Sequence, residues 1–120
     1  MATYIKIGGI KYPAKILEVP VDHNWENRAC VKIELEMSSQ EASNLFINDL
    51  HWSIIEDKET LTIVEENGIP VDKIIFEEFE TDASVYSVAG KILDNRDGTI
   101  SVKMGTPTAE ELLAILEEVL

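Results

Sequence analysis

Residues 84–106 read SVYSVAGKILDNRDGTISVKMGT, and the fold of the chain is decided by how this stretch is read. Its second half places Ile100, Val102 and Met104 on one side of an extended chain and Thr99, Ser101 and Lys103 on the other. Successive side chains of a strand point to opposite faces, so this alternation predicts a half-buried strand. The first half repeats the pattern with Tyr86, Val88, Gly90 and Ile92. Between them, residues 94–98 (DNRDG) supply turn formers, with Gly98 free to take the positive φ that closes a short loop. A hairpin is the reading, and Thr106-Pro107 ends it.

Working outward, residues 31–37 alternate as strictly. Val31, Ile33, Leu35 and Met37 face inward, while Lys32, Glu34 and Glu36 face outward. Gly8-Gly9 and Asn67-Gly68 each separate two apolar runs and predict two further hairpins, with the later strands over residues 60–65 and 69–76. A separate short strand is expected around residues 52–55. Pro13, Pro20 and Pro70 each lack a backbone donor, which places their strands at sheet edges. Residues 21–28 (VDHNWENR) are polar and irregular apart from Trp25. Ser38-Ser39-Gln40-Glu41 predicts a capping box opening a helix, with Ala42, Leu45 and Phe46 on its inner face. Thr106 or Thr108 caps a C-terminal helix, Pro107 fitting its first turn; its apolar stripe, Leu112, Ile115, Leu116 and Val119, is expected to pack on a sheet. The fold class is therefore α+β: a mainly antiparallel curled sheet or partly open barrel built from hairpins, with two short amphipathic helices. One globular domain spans residues 1–120.

The charge bears on partners. Twenty-three acids against ten bases give −13, which repels phosphate backbones and anionic lipid surfaces and argues against both as partners. Cys30 is alone, so no intrachain disulfide forms, and a reducing compartment suits the chain. No apolar run approaches the length of a membrane span, and MATYIKIGG has no signal-peptide core. The expectation is a cytosolic product, or one assembled into something made in a cytosol.

The search for chemistry yields no constellation. The glycine pair is not followed by a phosphate-cradling helix. Aligning Gly98 with the invariant glycine of a calcium loop puts Asn95 and Asp97 at ligand positions, but the first position falls on Leu93 and the last on Met104. His23, His51 and Cys30 have no partners at catalytic or metal-ligating spacing. No catalytic residue, cofactor, metal or small-molecule ligand is inferred, and the chain is not read as an enzyme. Two features suit a protein contact. One is Trp25 with Arg28 in the polar loop, unless the indole folds back to cover the sheet. The other is the acidic segment 56–82, in which Glu65, Glu66, Glu77 and Glu80 offer carboxylates to a basic partner, unless they only solvate an edge. Such a contact through the Asn67-Gly68 hairpin would weaken with salt.

Several segments resemble those of uncharacterised proteins of phages and prophages of Gram-positive bacteria. They are Trp25-Glu26-Asn27-Arg28, Glu41-Ala42 with Leu45-Phe46, Trp52-Ser53-Ile54, Tyr86-Ser87-Val88-Ala89-Gly90, and Arg96-Asp97-Gly98-Thr99 leading into residues 101–105 (SVKMG). The resemblance implies a phage origin and a place among structural or assembly genes, and it carries over no functional residue. The expected function is a non-enzymatic structural or assembly protein that meets a protein partner or a copy of itself. The alternative is an acidic DNA mimic that occupies a host DNA-binding protein or nuclease.

Overall fold

The computed structural model describes residues 2–119, apart from the side chains of residues 115, 118 and 119. Eight strands pair antiparallel into two four-stranded sheets. Sheet A is built from β1 (Thr3–Ile7), β2 (Ile10–Pro13), β5 (Trp52–Glu66) and β6 (Ile69–Asp82), in the order β2-β1-β5-β6. Sheet B is built from β3 (Lys15–Asp22), β4 (Arg28–Glu36), β7 (Val88–Asp94) and β8 (Thr99–Gly105), in the order β3-β4-β8-β7. The hairpins were legible, but they do not curl into one sheet or a barrel. The chain leaves sheet A after β2 and returns to it at β5, so two open sheets share one core.

That core is the period-two pattern made solid. Register sets Val31 opposite Met104, Ile33 opposite Val102 and Leu35 opposite Ile100, and all six are buried. Ile5, Ile7 and Trp52 of sheet A join the same cluster. Helix α1 (Ser39–Leu45) closes one end with Ala42 and the adjoining Phe46. Its Ser38 cap accepts the Glu41 N–H at 3.1 Å, while the Glu41 carboxylate meets the Ser38 hydroxyl instead of its backbone N–H. Pro13, Pro20 and Pro70 all lie on edge strands, as their missing donors require.

Three local expectations are corrected. In β7 the parity breaks: Ala89 pairs with Met104 and Ile92 with Val102, so a bulge at Gly90-Lys91 turns Ala89 and Ile92 toward the core. The short strand at 52–55 and the strand at 60–65 are one strand, β5, whose antiparallel partner β6 is nearly as long. Helix α2 (Ala109–Val119) does not bury the described part of its stripe. Thr108 and Glu111 cap it reciprocally (Glu111 N–H to Thr108 Oγ1 3.3 Å, Thr108 N–H to Glu111 Oε1 2.9 Å), leaving Pro107 just outside. Leu112, Leu113 and Leu116 remain at least half exposed. Ile115 and Val119 belong to the same expected stripe, and their side chains lie outside the described residues.

Candidate functional site

Beyond the core the chain presents two unlike surfaces. The first lies on the outer face of sheet B, around the β3–β4 turn. Asp22 starts this turn: its carbonyl accepts the Trp25 N–H at 3.0 Å and its carboxylate accepts the Asn24 N–H at 3.0 Å. Glu26 and Asn27 then take positive φ (56° and 54°), which folds the indole of Trp25 back over the sheet. The indole lies against the backbone of β7 and β8. A Cβ on Gly105 would sit 2.8 Å from Trp25 Cζ3 and 2.7 Å from Arg28 Cδ, and a Cβ on Gly90 would sit 3.0 Å from Trp25 Cη2. Only glycine leaves room for this approach. The Arg28 guanidinium stacks 4.5 Å from the indole centroid. It donates to the Thr106 carbonyl (3.1 Å) and to Glu26 (3.0 Å) and forms an ion pair with Glu111 (2.9 Å), which fixes the base of α2. Trp25 and Arg28 therefore pack on each other and on the sheet, with Arg28 buried and its Nε unpartnered.

Beside them Asp22, itself buried, accepts from Lys103 Nζ at 2.7 Å and lies 3.7 Å from Cys30 Sγ. The Lys103 hydrogen bond, with the Asn24 N–H, holds the Asp22 carboxyl below the usual carboxylate range. Burial, and then the charge of Asp22, push the Cys30 thiol up, so Cys30 is a poor nucleophile. Lys103 is thus a partner to a buried charge and not a plain solvent-facing residue. The folded pKa of Asp22 is below its unfolded value of about 3.9, so its contribution is complete above that value and is lost as pH falls through the folded pKa. In urea unfolding, wild type is expected to exceed Asp22→Asn in stability at pH 7, with the gap narrowing toward pH 3. An equal gap at both pH values would contradict this linkage.

Next to the indole a groove of about 680 Å³ runs across the outer face of β4, β8 and β7. Among the described residues Lys32, Lys91 and Lys103 line it and no acidic residue does, in a chain with only ten bases. Lys103 is committed to Asp22, whereas Lys32 and Lys91 form no ion pair among the described residues. Exposed Leu93 lies in the groove, and exposed Leu17 sits opposite Lys32 on β3.

The second surface is the β5–β6 hairpin. β1 covers β5 only as far as Glu56, and the Asp57 N–H to the Ala2 carbonyl (3.0 Å) is the last tie to the N-terminal strand. From Lys58 to the Asn67-Gly68 turn the two strands pair only with each other. At about 3.3 Å per residue this ribbon is roughly 30 Å long. Register puts Leu61, Ile63, Ile74 and Phe76 on one face and Val64, Val71, Ile75 and Ile69 on the other. Leu61, Ile63 and Phe76 are 67–70% exposed.

The acidic residues expected to act together are spread over this arm. Glu65 and Glu66 sit at its tip, on opposite faces. Glu77 is opposite Lys58 near its base, and Glu80 is in the body, paired with Lys6 at 3.2 Å. Neighbouring Glu78 is likewise paired with Lys11 at 2.7 Å. In the 94–98 turn, Asn95 donates to Thr99 and Ser101, and Asp97 accepts from Thr99. These groups are engaged in closing the hairpin, with Gly98 at φ 89°. Sequence reasoning missed the lysine groove, because Lys32, Lys91 and Lys103 meet only through strand order and the β7 bulge. It also missed the exposure of the arm, although apolar residues at both parities of 61–64 and 74–76 were a signal that no single face would be buried.

Comparisons with protein-family models, with curated proteins and with solved structures find no match. Among the described residues no helix is long and apolar enough to cross a membrane.

Proposed function

We propose that this chain is a structural or assembly subunit that works through protein–protein contacts and not by catalysis. The observation that carries the reading is the arm. An isolated two-stranded ribbon is marginal in water, and this one holds large apolar side chains exposed on both faces. Burial in a complex would recover about 25 cal/mol for each Å² of apolar surface covered. Exposed leucines of α2 add a second surface of the same kind. The resemblance to phage and prophage segments supports a role among phage assembly proteins, in a host cytoplasm or a virion.

The DNA-mimic reading has less support. A mimic requires carboxylates at regular spacing on one continuous face. Here Glu78 and Glu80 are paired with lysines, and Leu61, Ile74 and Phe76 interrupt the acidic residues of the arm.

Hydrogen exchange tests the assembly reading. In dilute solution the amides of residues 58–77 are expected to exchange far faster than those of β4 and β8, and to gain protection only on association. Core-like protection of the arm in a chain that stays monomeric at every concentration would overturn the proposal, because such an arm needs no partner.

A further inference from the structure

The arm tip and the sheet B groove are chemical complements. The tip carries Glu65 and Glu66 beside exposed Ile63 and Ile69. The groove carries Lys32 and Lys91 beside exposed Leu17 and Leu93. We infer that the arm tip of one copy seats in the Lys32–Lys91 groove of a second copy. The inference rests on the assembly reading and names its partner.

Three observations select a second copy over the alternatives. The arm extends from sheet A and the groove lies on sheet B, and no residue of the arm lines the groove of its own chain. The two ammonium groups form a basic site with no carboxylate in its lining among the described residues, in a chain of charge −13, and that site repels a basic partner. A small organic anion would satisfy the lysines but would leave the arm bare, whereas an arm tip supplies acidic and apolar groups together. The contact joins two different patches. It closes as a pair that exchanges arms or continues as a ring or filament.

Charge exchange tests this contact without touching the core, because Glu65, Glu66, Lys32 and Lys91 are all exposed. Wild type, E65K/E66K and K32E/K91E are compared by sedimentation velocity across a concentration series in about 0.1 M salt, where screening acts beyond about 10 Å and close pairs persist. Matching melting temperatures establish that all three fold alike. Wild type is expected to grow in mass with concentration, and each variant to associate at least about tenfold more weakly. An equimolar mixture of the two variants is expected to recover association, because each arm then meets a groove of opposite charge. A mixture that stays monomeric, or a wild type that never associates, overturns the inference. If E65K/E66K fails to associate while K32E/K91E behaves as wild type, the groove is not the receptor, although the arm would remain a contact element. Inorganic phosphate at millimolar concentration serves as the small-anion probe: tight binding to Lys32 and Lys91 with no self-association would also overturn it.

Discussion

Ile33→Ala is expected to lower stability by about 2–5 kcal/mol in urea unfolding, whereas Leu61→Ala in the monomer should change it by less than about 0.5 kcal/mol. Both residues are aliphatic and both sit on a strand. Ile33 is fully buried between Ile16 and Val102, its cross-strand partners, within the shared core of the two sheets. Truncation there loses the transfer free energy of the removed methyl groups and opens a cavity that a packed interior closes only in part. Leu61 is 70% exposed on the arm, so truncation removes surface that already faces water. The same Leu61→Ala change should weaken association once the arm is covered. Equal losses at the two positions in a monomeric sample would show that the arm folds back and is part of the core.

The second large effect is expected from removing the arm. Deleting residues 59–66 and 69–76 brings Asn67-Gly68 between Lys58 and Glu77, which are already cross-strand partners. Asn67 and Gly68 have φ of 52° and 79°, the conformation of a type I′ turn, so the native turn closes the shortened hairpin without strain. The pairing of β1 with β5 ends at Glu56 and is untouched, as are the Lys6–Glu80 and Lys11–Glu78 ion pairs. Every buried side chain of the core lies outside the deleted residues. The shortened chain is therefore expected to melt cooperatively within a few degrees of the full one.

What was legible in the sequence was local, and what was missed was relative. The 99–105 strand, the Ser38 cap and the glycine turns rest on period and turn chemistry within a few residues, and each stands in the structure. Whether hairpins join one sheet or two is set by which edges meet, and no local period encodes that. Trp25 was open to two readings, as an exposed anchor or as a cover over the sheet. The positive φ values of Glu26 and Asn27 and the two glycines beneath it, distant in sequence, place it over the sheet. Helix α2 shows the limit of amphipathicity. Leu112 and Leu116 mark an apolar stripe, but a stripe says only that a face suits burial, and here both stay at least half exposed. The same holds for Leu61, Ile63, Ile74 and Phe76 in the arm. Sequence alone does not distinguish a face buried within the chain from one buried by another molecule.

Sedimentation velocity of the full chain beside the arm-deleted chain, from about 1 to 100 μM in the same buffer, tests that distinction most directly. The full chain is expected to shift from monomer to larger species as concentration rises, and the shortened chain to remain a folded monomer throughout. If the two chains associate equally, the arm is not the contact element and the assembly account of its exposed apolar faces fails.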